Sequence, residues 1–566
     1  IFCMLILLVF LPAGCTNAEG TPPSPAQTSQ PSGTQPPAES PGVTAPTYEP
    51  VETKPPYEPV ETVRFLEISE LDAANEAPYK TVTAEFNLGD REYLSLAGRI
   101  MPYSIKGIIG VPEGDGPFPL ILITHGSHSN DDESKRFDTG FDYLVEALAA
   151  NGYIAVSMDM SKPYIWKYGD NDDNEKSIPV ARDHIESLIS ANAGDNRGYT
   201  VDLTGKIDFG KVGLIGHSRG GGTIFDISAD WKTYGVDVGA LLSIAPTAIF
   251  GREEWPDCHV AALIPEYDGD VISLDGYNNY RLLEAEGSAS YYATLLLNAN
   301  HNYFNRNISR NDAAMSGFKD ITDQLTREQQ ESFLKDYATG FFGASLLNNR
   351  NGFIDKYSPQ PNKMYGFDVK TLFTAPGAVD LADTGTTEGF VGEGVSVEAT
   401  VDSWFFRDDK ILIDTVTSWI EPFNLRPLIL VRWESNGGLL TISPKVRDLS
   451  KHTSLTLNLV VDSADELNRP DMSQRFTVAL TDAAGNITKL VLPASLNALS
   501  CTPGEIGSTP LYDETIYYWS APSPISCINL PLREFTNVDL TRIQSIQLIF
   551  DQSDTGSIYI DSITVQ

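Results

Sequence analysis

The chain has 566 residues and a formal net charge of −36 at pH 7. This length leaves room for two or three domains of roughly 150 residues each. The charge excludes nucleic-acid binding, because a basic surface is needed to displace counterions from phosphates.

The first fifteen residues have the pattern of an export signal. Residues 1–10 form an apolar run. Such a run is too short to span the hydrocarbon core of a lipid bilayer, which is about 30 Å thick, but it has the length of the apolar part of a signal peptide. Ala13 and Gly14 precede Cys15, an order that resembles a bacterial lipobox, although Pro12 departs from it. We therefore expect a secreted or cell-surface protein, with Cys15 as the candidate lipid anchor and plain secretion as the alternative.

Residues 16–63 have the composition of a disordered linker. Residues 16–62 contain 12 prolines in 47 positions, and the hexamer Tyr-Glu-Pro-Val-Glu-Thr occurs at 48–53 and again at 57–62. A segment of this kind buries too little apolar surface to fold, and its prolines keep it extended. The sequence predicts a stalk that holds the folded part away from its anchor.

Residues 64–360 alternate between apolar strands and helices. The predicted strands are residues 105–111, 120–124, 153–158, 211–215, 241–244, 261–265 and 294–297, and the predicted helices are 141–150, 182–190 and one that starts at Gly220. This alternation predicts an α/β fold, in which a mostly parallel sheet is covered by helices on both faces.

A G-x-S-x-G motif at residues 216–220 supplies the candidate nucleophile, Ser218. The motif follows a predicted strand and precedes a predicted helix, which is the strand–turn–helix context of a nucleophile elbow. The glycines two residues on either side of Ser218 remove the Cβ atoms that would clash in so tight a turn. An ordinary glycine-rich turn is the alternative, and this context disfavours it.

A serine hydroxyl needs a neighbouring base to become a nucleophile. Of the seven histidines, only His301 follows the last predicted strand of the sheet. The acid that orients the base is expected after the strand at 261–265, where Asp268 is preferred and Asp270 is the alternative. The order Ser, Asp, His along the chain is that of α/β-hydrolases.

Two backbone N–H groups are expected to bind the oxyanion. Arg219 directly follows the nucleophile and supplies the first. The second is expected in the loop after the strand at 120–124, where Ser127 is preferred and Gly126 or His128 is the alternative.

No metal site is predicted from the sequence. The pair of histidines at 125 and 128 lacks the glutamate of a zinc-binding helix, and the acidic segment 170–175 lacks the glycine of a calcium loop.

In residues 361–566 the apolar residues no longer recur with the spacing of a helix. Strands are predicted at 455–461, 476–480, 546–550 and 558–565, separated by turn signals, which predicts an antiparallel β-sandwich. Four tryptophans in this region are candidates for stacking on sugar rings, although core packing is the commoner role of such residues. They are Trp404, Trp419, Trp433 and Trp519. Cys501 and Cys527 are a candidate disulfide, because an exported protein can keep one.

Four motifs in order resemble those of secreted bacterial α/β-hydrolases. They are Thr-His-Gly at 124–126, Gly-His-Ser-Arg-Gly-Gly at 216–221, Tyr-Asp-Gly-Asp-Val at 267–271 and Ala-Asn-His-Asn-Tyr-Phe-Asn at 299–305. The set is nearest to the branch similar to platelet-activating-factor acetylhydrolase, chlorophyllase and dienelactone hydrolase. Residues 361–566 are similar to galactose-binding-like or carbohydrate-binding modules.

The resemblance implies an extracellular serine carboxylesterase that works through an acyl-enzyme without a cofactor, on a small or polymer-linked ester. A serine peptidase or amidase on the same fold is one alternative, and a non-catalytic surface-binding protein is another. Because every catalytic candidate precedes residue 360, truncation there is expected to leave a soluble, active domain. If the sandwich binds polysaccharide, only activity on insoluble esters is then lost; if it stabilises the hydrolase, all activities fall together.

Overall fold

The computed structural model describes residues 58–132, 135–169, 173–249, 255–284, 288–316, 320–403, 425–470, 472–504, 506–511, 514–519 and 524–566. The predicted signal segment, Cys15, most of the predicted linker, the first residues of the acidic segment 170–175, Trp404 and Trp419 lie outside these residues. Among the helices of the described part, none combines the length and the apolar character needed to cross a membrane.

A ten-stranded sheet organises the part of the chain that carries the catalytic candidates. The first described strand, β1 (Glu61–Phe65), lies outside this sheet. The ten strands are β2 (Thr81–Leu94), β3 (Ile100–Pro112), β4 (Phe118–Thr124), β5 (Ile154–Met158), β6 (Ile207–His217), β7 (Val238–Ile244), β8 (His259–Tyr267), β9 (Tyr291–Asn300), β10 (Lys363–Met364) and β11 (Phe367–Thr374). Their order across the sheet is β10-β11-β9-β8-β7-β6-β4-β5-β3-β2.

The six central strands of this sheet are parallel. They run β9-β8-β7-β6-β4-β5, and antiparallel strands flank them on both sides. All seven residues of β4 are buried, as expected for a strand covered on both faces. Because parallel strands end at the same edge, the loops after β4, β6, β8 and β9 meet at the carboxyl edge of the sheet, where active sites of open α/β sheets form.

Five helices of the described residues cover the two faces of this sheet. They are α1 (Asp142–Ala150), α2 (Asp173–Asn192), α3 (Arg219–Lys232), α4 (Gly276–Glu284) and α5 (Arg327–Leu346). Side chains of α1 and α5 share one apolar cluster with Ile121 and Ile123, whereas those of α2, α3 and α4 share another with Leu120 and Leu122. Alternate residues of β4 therefore face opposite helix layers, as the pleat of a strand requires.

The C-terminal part consists of strands in two six-stranded sheets and one hairpin. The strands are β12 (Val379–Asp380), β13 (Phe390–Glu393), β14 (Ser396–Ser403), β15 (Leu425–Trp433), β16 (Gly438–Ile442), β17 (Ser454–Val461), β18 (Thr477–Asp482), β19 (Ile487–Val491), β20 (Ile506–Leu511), β21 (Glu514–Trp519), β22 (Ser526–Pro531), β23 (Ile543–Phe550) and β24 (Gly556–Val565). One sheet has the order β1-β19-β18-β23-β16-β13, and the other has the order β14-β15-β24-β17-β22, with β12 paired to β24. Strands β20 and β21 form the hairpin.

One apolar cluster fills the space between the two six-stranded sheets. Leu480 and Leu548 contribute to it from the first sheet, and Leu457 and Ile560 contribute from the second. Two sheets that share a core in this way, antiparallel except for the pairing of β1 with β19, are consistent with the predicted sandwich arrangement. Residues 379–566, together with β1, are called the β-region below.

The structure moves both predicted domain boundaries. Strand β11 pairs with β9 over residues 369–374, so the large sheet continues beyond residue 360. Strand β1 pairs in parallel with β19, so residues 61–63, predicted as linker, belong to a strand of the β-region. Both errors have one cause, because these strands are recruited by partners that lie far away along the chain.

The β-region packs directly on the large sheet. The Nε2 of Gln566 donates to the carbonyl of Phe373 at 3.2 Å, and the Ala375 N–H donates to the Gln566 Oε1 at 2.7 Å. The Asp561 carboxylate of β24 lies 3.8 Å from the Arg281 guanidinium of α4. Tyr559 of β24 also belongs to the apolar cluster that contains α2, α3 and α4. The β-region therefore completes the core on that face of the sheet.

The three cysteines of the described part are all buried thiols. Cys501 and Cys527 are therefore not joined, and the candidate disulfide between them is absent from the structure.

Candidate active site

Ser218 occupies a sharp turn between β6 and α3. Its backbone has φ 58° and ψ −126°, a conformation that is strained for a residue with a side chain. The Ser218 N–H donates to the carbonyl of Ile244 at 2.9 Å, and the Gly221 N–H donates to the Ser218 carbonyl at 2.8 Å. A Cβ on Gly216 would lie 2.1 Å from the carbonyl oxygen of Gly220, so this turn closes only with glycine there. The local geometry is that of a nucleophile elbow.

The side chain of His301 is held by a buried carboxylate. Its Nδ1–H donates to both carboxylate oxygens of Asp268, at 3.0 and 3.1 Å. Both side chains are almost fully buried. Asp268 is itself fixed, because its Oδ1 accepts the N–H groups of Asp270 and Val271 at 2.9 and 2.6 Å. The pair has the geometry that sets the tautomer of a general base, with Nδ1 protonated and Nε2 directed away from the acid.

The loop that carries His301 is fastened to the elbow. The Nε2 of His217, which precedes Ser218, donates to the carbonyl of His301 at 3.0 Å. The two imidazole rings lie 4.9 Å apart, measured between centroids. The structure therefore brings the elbow, His301 and Asp268 together at the carboxyl edge of the sheet. In the described residues the His301 Nε2 has no hydrogen-bond partner.

Asp270, the alternative acid, lies on the other side of the imidazole. Its Oδ2 is 3.7 Å from the His301 Nε2, and its side chain is 54% exposed. It therefore stands at the solvent side of the base, whereas Asp268 stands at the buried side. Of the two candidate acids, only Asp268 is within hydrogen-bonding distance of Nδ1.

The charges around His301 favour its protonated form. Burial lowers the pKa of His301, but the carboxylates of Asp268, Asp270 and Asp312 outweigh burial and raise that pKa to about 9. Burial lowers the pKa of the neighbouring His217 well below its ordinary value. Among these adjacent rings, His301 is therefore the group equipped to accept a proton.

Asp312, which was not among the candidates predicted from the sequence, joins the loops that carry Asp268 and His301. Its Oδ2 accepts the N–H groups of Gly269 at 2.9 Å and His301 at 3.1 Å, and its Oδ1 accepts the Asn302 N–H at 3.1 Å. The residue is 1% exposed. No motif marks Asp312, because it acts through three backbone groups of loops that meet only in the folded chain.

The candidate oxyanion loop lies against Ser218. A Cβ on Gly126 would lie 2.5 Å from the Ser218 Cβ and 3.0 Å from its Oγ. The His128 N–H donates to the Asn130 Oδ1 at 2.6 Å, so this alternative donor is already engaged. The loop position of Ser127 lies between these two residues. Arg219 is the first residue of the 14-residue helix α3, whose N-terminal end favours negative charge.

His125 has a structural role in this loop. Its Nδ1 donates to the Gly126 carbonyl at 2.9 Å, and its Nε2 accepts the Met160 N–H at 3.0 Å. Both ring nitrogens are therefore engaged with the backbone. Within the described ranges, no group of three or more His, Cys, Asp or Glu side chains is arranged to hold a metal ion.

The structure removes Trp433 from the tryptophan candidates for sugar binding. Trp433 is 1% exposed and stacks on Phe550 at 4.2 Å between centroids, and its Nε1–H donates to the Ser553 carbonyl at 3.2 Å. A buried, hydrogen-bonded ring cannot stack on a sugar. Trp519 belongs to β21, and its side chain lies outside the described part, as do Trp404 and Trp419.

Comparison with known proteins identifies a family model and a relative that resemble part of this chain. Residues 94–266 match the chlorophyllase family model, a range that includes Ser218 and ends two residues before Asp268. Over 263 residues the chain is 23% identical to bis(hydroxyethyl) terephthalate hydrolase of Streptomyces coelicolor, a match that covers 46% of this chain and 74% of the relative. Together, these similarities support an α/β-hydrolase fold and an esterase-type hydrolase.

Proposed function

We propose that this protein is a serine carboxylesterase in which Ser218 is the nucleophile, His301 the general base and Asp268 the orienting acid. The observation that carries the proposal is the bidentate contact from the His301 Nδ1 to Asp268, beside a strained Ser218 at the carboxyl edge of the sheet. The similarity to ester hydrolases supports the same reaction class.

The proposed reaction has two steps. The Ser218 Oγ attacks the ester carbonyl carbon as its proton passes to the His301 Nε2. The bond to the alcohol oxygen then breaks, and the alcohol leaves with that proton. Water attacks the acyl-enzyme, giving its proton to Nε2, and the acid is released as Oγ regains the proton. The backbone N–H groups of Ser127 and Arg219 are the proposed oxyanion donors in both steps.

The substrate is proposed to be a neutral carboxylic ester. The curated relative is named for hydrolysis of bis(hydroxyethyl) terephthalate, an aromatic diester, and this compound is the first substrate to test. A serine peptidase or amidase on the same fold is the alternative, distinguished by comparing a p-nitrophenyl ester with the matching anilide.

The cellular setting belongs to the same proposal. Residues 1–15 are proposed to direct export, and Cys15 to carry a lipid anchor at the cell surface. The β-region is proposed to stabilise the hydrolase through the contacts of Gln566 and Asp561, with polysaccharide binding as a second role. Retention of the protein on insoluble polysaccharide, measured by pull-down, tests that second role.

The catalytic proposal is tested on the full chain. Ser218→Ala and His301→Ala are each expected to lower turnover of p-nitrophenyl acetate by at least about 10⁴-fold, because triad members act as a unit. Asp268→Asn is expected to be milder than either, and Asp270→Asn milder still. A fluorophosphonate probe should label Ser218 in the wild type. Labelling of another residue, or an active Ser218→Ala variant with unchanged folding, contradicts the assignment, and absence of any ester turnover favours a binding protein.

A further inference from the structure

Asp270 is the one carboxylate of the described site that stands on the substrate side of the base. Its Oδ2 lies 3.7 Å from the His301 Nε2, the atom that exchanges protons with Ser218 and the leaving alcohol in the proposed mechanism. Its side chain is 54% exposed, so this carboxylate is accessible to solvent. The other two carboxylates near His301 are buried: Asp268 contacts Nδ1 of the ring, and Asp312 accepts the backbone N–H of His301.

The backbone around Asp270 keeps this carboxylate in position. The Asp270 N–H donates to the Asp268 Oδ1 at 2.9 Å, and the following Val271 N–H donates to the same oxygen at 2.6 Å. The Asp312 Oδ2 accepts the Gly269 N–H at 2.9 Å on the preceding residue. The segment is therefore held on both sides of Asp270. Replacing the Asp270 side chain leaves all three of these contacts in place, because the donors are backbone N–H groups and the acceptors are the carboxylates of Asp268 and Asp312.

The charged and titratable groups that face His301 come from four segments. Asp268 and Asp270 follow β8, and Asp312 lies in the segment that follows His301. His217 ends β6, and the ring of His128 is tilted against that of His217 with centroids 5.4 Å apart. Burial lowers the pKa of both His217 and His128, so neither ring supplies a compensating positive charge. The electrostatic field at the Nε2 of His301 is consequently set by the neighbouring carboxylates.

We propose that Asp270 is a charge-selectivity residue, which disfavours esters that carry a negative charge near the scissile bond and repels the carboxylate product. This inference rests on the proposed esterase function. An anionic group bound beside Nε2 lies close to the Asp270 carboxylate, and like charges that close repel each other even near a protein surface. Neutral esters avoid this cost when they bind. Their hydrolysis creates a carboxylate where none existed, so the same repulsion assists release.

The same carboxylate influences the protonation of the base. A negative charge beside Nε2 stabilises the imidazolium, and the carboxylate of Asp270 is among the groups that raise the pKa of His301. The free enzyme needs neutral His301 to accept the Ser218 proton. Removal of this charge is therefore expected to move the acid limb of the pH profile of kcat/KM towards lower pH.

The test compares Asp270→Asn with the wild-type full chain on two esters of similar shape. p-Nitrophenyl butyrate is neutral, whereas the mono-p-nitrophenyl ester of succinic acid carries one carboxylate. The ratio of kcat/KM for the neutral over the anionic ester is expected to fall by about tenfold in Asp270→Asn. For the neutral ester, the acid limb of the pH profile of kcat/KM should shift to lower pH in this variant. In the wild type, added salt should reduce the ratio, because Asp270 is accessible to screening ions.

Two control variants make the result specific. Asp237→Asn removes the same charge at an exposed position just before β7, at the opposite edge of the sheet, and should leave the ratio unchanged. Asp270→Glu keeps the charge and should keep the selectivity for neutral esters. An Asp270→Asn enzyme with the wild-type ratio and the wild-type acid limb overturns the inference.

The outcomes also separate this inference from the proposed function. If the wild type hydrolyses neither ester and is not labelled by fluorophosphonate, the esterase proposal fails first. If the wild type is active and Asp270→Asn loses activity on both esters equally, Asp270 has a different role, and charge selectivity is refuted. If Asp270→Asn is poorly folded, as measured by thermal unfolding, Asp270→Ser is compared on the same two esters and the same criterion applies.

Discussion

Truncation after Gln360 is expected to destroy the hydrolase rather than release it. The deletion removes β11, which pairs with β9 over six residues. Three apolar side chains of β11 are at most 3% exposed, namely Val369, Leu372 and Phe373. The deletion also removes the whole β-region except β1, and with it the cover over α4. This expectation reverses the one based on sequence, which treated residue 360 as a domain boundary.

The magnitude follows from the buried surface. Burial of one large apolar side chain contributes about 1.5–3 kcal/mol, so the three from β11 contribute about 5–9 kcal/mol. A whole domain has a free energy of unfolding of only about 5–15 kcal/mol. The deletion also exposes Tyr292 of β9, whose ring stacks on Phe373 with centroids 4.9 Å apart, and leaves the Arg281 guanidinium without Asp561. The loss is therefore comparable with the entire stability of the fold.

The assay uses two truncated chains beside the full chain. One ends at Gln360, and the other ends at Gly377 and keeps β10 and β11. For each chain, the soluble yield, the melting temperature and the turnover of p-nitrophenyl acetate are measured. The shorter chain is expected to aggregate or to lose cooperative unfolding, and the longer one to melt below the full chain. A soluble chain ending at Gln360, with the melting temperature and turnover of the full protein, refutes the reasoning.

Two further predictions concern the loops of the site. Gly126→Ala places a methyl group 2.5 Å from the Ser218 Cβ, so it is expected to lower kcat by at least about 10²-fold and to slow fluorophosphonate labelling, with a smaller change in melting temperature. Wild-type labelling kinetics contradict that expectation. Asp312→Asn keeps the shape of the side chain but places an N–H₂ group where a carboxylate oxygen now accepts backbone N–H groups. The substitution is expected to lower the free energy of unfolding by about 1–3 kcal/mol. It is also expected to lower kcat more than it raises KM. An unchanged kcat in a destabilised variant would assign Asp312 a purely structural role.

The sequence by itself was enough to nominate the catalytic candidates, because each follows from local order. The elbow at Ser218 needs only a strand, a glycine-flanked turn and a helix, and all three are encoded within about twenty residues. His301 and Asp268 follow strands whose apolar runs are continuous, as strands buried on both faces must be. The mostly parallel sheet follows from the same alternation of strands and helices.

Features that depend on partners distant in the chain become visible only in the folded structure. Asp268 and Asp270 are separated by one residue in the sequence. Their order alone does not indicate that Asp268 contacts the Nδ1 of His301 whereas Asp270 lies on the Nε2 side. Asp312 reaches Gly269 across 43 positions, and its ligands are backbone groups that carry no side-chain signal.

The domain boundaries predicted from the sequence differ from the observed ones for the same physical reason. Strand β1 pairs with β19, which lies far away along the chain, and β11 follows the predicted boundary at residue 360 but pairs with β9. Alternation of apolar residues indicates that a segment is a strand, but the pairing depends on which edge is available when the chain has folded. Trp433 illustrates the same limit, because the identity of a tryptophan does not indicate whether its ring faces solvent or a core.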